Sequence, residues 1–154
     1  MRGKPAKKRI IAVDTIYGSE DVARFINKLM LNGKKNTSRT IFYEALDLIK
    51  AEKKLDPMQV FDAALRNVMP QMEVRSRRIG GANYQVPVPV EGKRQQSLAV
   101  KWIIGAARSK KGMPMFRKLA TELLDASNGT GAAFKKKEDT HRVAEANKAF
   151  SHLR

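Results

Sequence analysis

Arginine and lysine are the residues of this chain best suited to chemistry, and they come in runs. Between Gly92 and Thr121 stand Lys93, Arg94, Lys101, Arg108, Lys110, Lys111, Arg117 and Lys118, with no Asp or Glu among them. Arg75, Arg77 and Arg78 form a second group against one acid, Glu73. Lys34–Lys35 and Lys135–Lys136–Lys137 add two more, and Arg2, Lys4, Lys7, Lys8 and Arg9 crowd the N-terminus. Such cations pair with phosphate, arginine through a planar two-pronged fork and lysine as a point charge. Each phosphate neutralised releases counterions, so separated clusters suit a multi-point clamp on a polyanion. A single run of like charge is commonly a solvated face. Five runs of one sign in 154 residues point to nucleic-acid binding.

The whole-chain balance agrees. There are 31 Lys and Arg against 15 Asp and Glu, a net charge of +16. A chain so basic repels itself unless a partner neutralises it. Nucleic acid is the first such partner to consider and an acidic membrane surface the second. The absence of cysteine excludes disulfides, thiolate metal sites and thiol nucleophiles. The longest apolar stretch, Leu98 to Ala107, is interrupted by Lys101 and Gly105 and falls short of the roughly 20 residues a bilayer span needs. The basic N-terminal residues are followed by no apolar core, so a secretory signal is not expected.

Catalytic chemistry is poorly represented. The two histidines, His141 and His152, do not share a helical face, and no carboxylate pair is set beside a histidine and a serine. Glu138–Asp139 follow three lysines and are explained by local charge balance. Asn32-Gly33-Lys34-Lys35-Asn36-Thr37 has some of the composition of a phosphate loop. It lacks the upstream glycine and follows a helix rather than a strand. No enzyme activity, metal or cofactor is expected.

The cationic clusters need a scaffold, and apolar periodicity supplies one. Val22, Phe25, Ile26, Leu29 and Met30 stripe a helix that Ser19 caps and Asn32–Gly33 ends. Ile41, Phe42, Ala45, Leu48 and Ile49 stripe a second helix, about 38–54. Asp56–Pro57 opens a third, with Val60, Phe61, Ala64, Leu65 and Val68 inward, and Pro70 stops it. The period then changes to that of strands. Residues 72–78 and 84–90 read as a β-hairpin joined by Gly80–Asn83, with Arg75 and Arg77 on one face and Ser76 and Arg78 on the other. Pro87 and Pro89 remove two donors from one edge, so the hairpin is an isolated ribbon. Tyr84 has two readings: it stacks on a base or sugar, or it packs on the hairpin root.

Helices resume at about 95–108, with apolar residues on more than one face (Leu98, Val100, Trp102, Ile103, Ala106, Ala107), and at Pro114–Asn128. A last helix, about 132–150, has a weak apolar face of Val143, Ala144 and Ala146 and is expected to protrude or dock elsewhere. The fold class is mainly α. It is a single domain, residues 1–154, made of a six-helix body, a protruding two-stranded β-ribbon (72–90), a protruding C-terminal helix (132–150) and a flexible basic N-terminal arm (1–15).

Two stretches carry a family resemblance. Met72-Glu73-Val74-Arg75-Ser76-Arg77-Arg78 with Gly80-Gly81-Ala82-Asn83-Tyr84-Gln85-Val86-Pro87 resembles the hairpin of bacterial small-ribosomal-subunit protein seven. Phe25-Ile26-Asn27-Lys28, Gly33-Lys34-Lys35 and Ile41-Phe42-Tyr43 are similar to that family's N-terminal signature. The tail around Lys135–Arg142 and Ala144–Ala149 matches as well, so the resemblance runs through nearly the whole chain in order. It implies a structural constituent of the small subunit, in the cytoplasm. It implies primary binding to the 3′ major domain of small-subunit (16S) ribosomal RNA, where the family nucleates assembly of the subunit head. Messenger RNA near its exit path, exit-site transfer RNA and small-subunit proteins nine and eleven would be neighbours. The resemblance places ribosomal RNA contact on Lys7, Lys8, Arg9, Lys34, Lys35, Arg75, Arg77 and Arg78. The charge clusters add Arg2, Lys4, Lys93, Arg94, Lys110 and Lys111. Tyr84, Lys135, Lys136, Lys137 and Arg142 are expected to face transfer RNA or protein.

Two other classes compete. A DNA-architectural protein would insert a proline wedge from the tip of a β-arm. Here the tip is Gly80–Asn83 and Pro87 lies away from it. An RNA-processing enzyme would need a metal or acid–base constellation that the sequence does not show.

Overall fold

The computed structural model describes residues 11–153, together with Gly3. Six helices and one hairpin follow in order: α1 (Glu20–Leu29), α2 (Lys35–Lys53), α3 (Pro57–Val68), β1 (Met72–Ile79), β2 (Ala82–Pro89), α4 (Gly92–Ser109), α5 (Met115–Ser127) and α6 (Gly131–Ala146). A short 3₁₀ helix, Lys148–Leu153, comes last among them. Two compact units divide between Arg39 and Thr40, inside α2. No helix among the described residues is long and apolar enough to cross a membrane.

The first unit is organised by two caps. Asp14 is buried, and its carboxylate accepts from Ile16 N at 3.1 Å and Tyr17 N at 3.0 Å, which folds the chain into a turn. The part of the expected flexible arm nearest residue 15 is therefore ordered by an aspartate that satisfies its own backbone. Ser19 caps α1 by accepting from Val22 N, and Glu20 and Asp21 sit in the first turn. Arg24 pairs with both acids one turn on. Val22, Ala23, Phe25, Ile26 and Leu29 are buried, as the stripe requires. Asn32 and Gly33 take positive φ at the end of α1, the conformation that Asn and Gly tolerate best.

In the second unit α3 packs on α5, α4 and α6. Asp56 caps α3 through Met58 N at 3.0 Å, and the five predicted inward residues are all buried. Phe42 and Phe61, both fully buried, meet edge to face with centroids 5.4 Å apart. On α2 the buried set is Phe42, Ala45, Leu46 and Ile49; Leu46 takes the place expected for Leu48.

The hairpin is an isolated two-stranded antiparallel ribbon, as the prolines require. Its joint is shorter than the four residues expected. Ile79 pairs with Ala82, and Gly80 and Gly81 make a two-residue turn with φ of 57° and 89°. Positive φ at both central residues gives the turn whose twist matches the strands. Arg77 lies opposite Tyr84 and Arg75 opposite Val86, so these four share a face; Arg78 lies opposite Asn83 on the other.

The last helix departs most from expectation. It ends at Ala146, where Asn147 N donates to Val143 O, and the chain tightens into the 3₁₀ helix instead of running on to Phe150. It does not protrude: α6 lies against α4, α5 and β1, with Ala133 and Ala144 buried. Small residues let it approach closely, which is why its apolar face looked too weak for a core helix.

A candidate nucleic-acid interface

The ribbon is fixed at its root by charge. Glu73 is buried, and its Oε1 lies 2.5 Å from Arg75 while its Oε2 accepts from Arg94 at 3.0 Å. Burial on its own raises the Glu73 carboxyl, but the hydrogen bonds from Arg94 and Arg75 outweigh it and hold it below the usual carboxylate range. Two predicted phosphate ligands, 19 residues apart in the chain, are thus brought together on one acid. Both keep more than half of their side-chain surface exposed.

Other predicted residues are committed inside the protein. Lys110 stands 3.0 Å from Glu122 Oε2 and 3.3 Å from Asp125. Glu122 is fully buried in α5, and its other oxygen accepts from Ala133 N at 2.8 Å. This carboxylate caps α6 from a neighbouring helix, a place where Thr130 provides no side-chain bond. Its Oε2 has no hydrogen bond of good geometry and is balanced by the Lys110 ammonium. Lys137 donates to Asn67 O at 2.6 Å and lies over the Phe134 ring at 5.2 Å. Lys110 and Lys137 therefore hold helix ends, and both stay partly exposed while doing so. Tyr84 packs on Phe150 of the 3₁₀ helix, centroids 5.4 Å apart, and stays partly exposed.

The remaining described cations are presented outward. Lys34 and Lys35 are exposed at the α1–α2 joint. Lys93 and Arg94 lie in the first turn of α4, which begins earlier than expected, and Lys111 is exposed after it. Arg77 and Arg78 are exposed on the outer half of β1, and Lys135 and Lys136 on α6. Arg142 is exposed and ion-paired to Asp139. Arg2, Lys4, Lys7, Lys8 and Arg9 lie outside the described residues.

One electrostatic pattern escaped the sequence reading. The first turns of α2, α4 and α5 contain no acid and do contain cations: Lys35, Lys93 with Arg94, and Arg117 with Lys118. A helix start is already the positive end of its dipole, so cations there cost stability in the free chain and strengthen any anion site. The signal is present in the residues but needs the helix boundaries, since the periodicity starts this helix at about residue 95 and the structure starts it at Gly92.

Outward cations on helix starts and on a ribbon define a class of protein, one built to hold a polyanion. Comparison with known proteins narrows it. Residues 1–148 match the family model described as ribosomal protein S7p/S5e, and the chain belongs to that family. It is 54% identical over 153 residues to a protein of Carboxydothermus hydrogenoformans, covering 99% of this chain and 98% of that one. It is 55% identical to a protein of Natranaerobius thermophilus over the same shares. It is 54% identical to one of Thermotoga neapolitana, covering 100% and 99%. All three relatives are named small ribosomal subunit protein uS7. Members of this family are ribosomal structural proteins and not enzymes.

Proposed function

We propose that this chain is a structural constituent of the small ribosomal subunit in the cytoplasm, acting in translation. It binds the 3′ major domain of 16S ribosomal RNA as a primary protein and nucleates assembly of the subunit head. The observation that carries the reading is the set of cations on the first turns of α2, α4 and α5, joined by Arg77 and Arg78 on the ribbon. Free in solution each helix-start cation faces the positive end of its own helix dipole; against phosphate it is favourable twice, through its own charge and through that dipole, while Arg77 and Arg78 add charge alone. Full-length likeness to proteins named for the small subunit supports the same partner. Exit-site transfer RNA and messenger RNA near its exit path are the further nucleic-acid neighbours of the ribbon and α6, and small-subunit proteins nine and eleven the protein neighbours.

The test is a salt-dependent titration against the 3′ domain, with duplex DNA of equal length and unrelated folded RNA as competitors. Binding that survives both, with log affinity falling steeply against log salt, is expected. Equal binding to all three would leave a general polyanion binder and overturn the assignment of partner.

A further inference from the structure

Leu98 and Trp102 on α4, Val74 at the ribbon root and Val143 on α6 line an open groove of about 620 Å³. The lining is mostly apolar, and Trp102 and Leu98 are only half-buried while Val143 is 46% exposed. The charges around it are unequal in status. Glu73 is matched by Arg75 and Arg94, and Asp139 by Arg142. Lys135 and Lys136, both exposed, are left as the unmatched charge of the rim. The size falls in the range of about 300–1,000 Å³ typical of small-molecule sites. An indole with aliphatic neighbours, flanked by two unmatched ammonium groups, complements a flat uncharged ring that carries phosphate at its edge.

We propose that this groove receives a single unstacked nucleotide of RNA, its base against Trp102 and its phosphate on Lys135 and Lys136. The inference rests on the RNA-binding reading above and adds to it a base-recognising site: phosphate contacts position a protein on RNA, whereas stacking on an aromatic selects an unpaired base. A carboxylate-bearing peptide would match the two ammonium groups but offers no flat ring to the indole, so the base is preferred.

Trp102 is the single tryptophan of the chain, so its fluorescence reports on this groove alone. The full-length protein is titrated with single-stranded hexauridylate and with an abasic hexamer of equal phosphate number. Saturable quenching by hexauridylate is expected, with affinity about tenfold above that of the abasic hexamer, within the range of base–aromatic stacking. Replacing Lys135 and Lys136 together by glutamine weakens the hexauridylate complex severalfold without moving the melting temperature, since neither holds an internal contact. With a labelled oligomer, Trp102→Phe retains the preference for bases and Trp102→Leu abolishes it, both proteins melting cooperatively. Equal affinity for the two hexamers, or fluorescence that does not respond, overturns the groove assignment while binding to the 3′ domain leaves the wider reading intact; loss of 3′-domain binding as well overturns both. A response to an acidic apolar peptide and none to hexauridylate overturns it in favour of a protein partner.

Discussion

His141 on α6 accepts the backbone N–H of Gln71 through Nε2 at 3.0 Å, tying the helix to the residue that precedes the ribbon. Only the neutral imidazole can accept there. Burial, and then the charge of Lys137, lower the His141 pKa below its ordinary 6.5. A lowered histidine pKa means the unfolded chain binds the proton more readily. The stabilisation is therefore complete above about pH 6.5 and is lost as the pH falls from there through the folded-state pKa. Melting temperature should decline between pH 7 and 5 in the natural chain and decline less in His141→Gln, whose amide oxygen accepts at any pH. A matching decline in both would remove His141 as the cause.

Glu73 titrates in a separate window. Its pKa lies below the ordinary 4.5 because Arg94 and Arg75 outweigh the effect of burial. Its contribution is present above pH 4.5 and disappears as the pH falls through the lower value. Glu73→Gln should flatten the acid limb of the stability profile below pH 4.5 and leave the histidine limb unchanged.

Gly131 cannot carry a side chain. A Cβ there would stand 2.8 Å from Asp125 Cβ and 3.2 Å from Glu122 Oε1, at a φ of 89°. Gly131→Ala should destabilise by about 1–3 kcal/mol from backbone conformation alone, before any clash. Glu122→Ala should cost about 3 kcal/mol, the lower end for a broken buried pair, because Lys110 is one-quarter exposed and can rehydrate. Chemical denaturation of both variants measures these losses.

Core and groove aromatics should separate in the same assay. Phe61→Ala should cost about 3–5 kcal/mol, since Phe61 is fully buried against Phe42. Trp102→Ala should cost clearly less, because half-buried Trp102 faces the groove. Equal losses would place Trp102 in the core.

The ribbon arginines should divide by face. Arg78→Ala should weaken RNA binding and lower the salt slope by about one, with no change in stability. Arg75→Ala should lower both affinity and melting temperature, since Arg75 also neutralises buried Glu73. Filter binding at several salt concentrations, paired with thermal melts, distinguishes them.

Local signals were legible from sequence wherever one segment decides its own structure. The Asp56–Pro57 start, the inward set of α3, the prolines of an isolated ribbon and the pairing of Arg75 with Arg77 on a face all follow from spacing or residue type. What was hidden depends on segments meeting. Glu122 sits on α5 where an acid reads as solvent-facing, and its partners are Lys110 on one side in sequence and Ala133 N on the other. Lys137 and Lys110 looked like the other lysines until Asn67 and Glu122 appeared beside them. The sequence spreads the apolar residues of α4 over more than one face without saying which is buried; the buried set is Ala99, Val100, Ile103, Ile104 and Ala107, and Leu98 and Trp102 line the groove.

The ribbon's composition also bears on the chain before it meets any partner. An unpaired strand edge can template pairing with another molecule. Pro87 and Pro89 take two donors out of β2, and Arg75, Arg77 and Arg78 load β1 with like charge. Two copies approaching ribbon to ribbon would meet missing hydrogen bonds on one strand and repulsion on the other. A newly made chain can thus hold out an exposed hairpin while it waits for its site, without that hairpin seeding fibres.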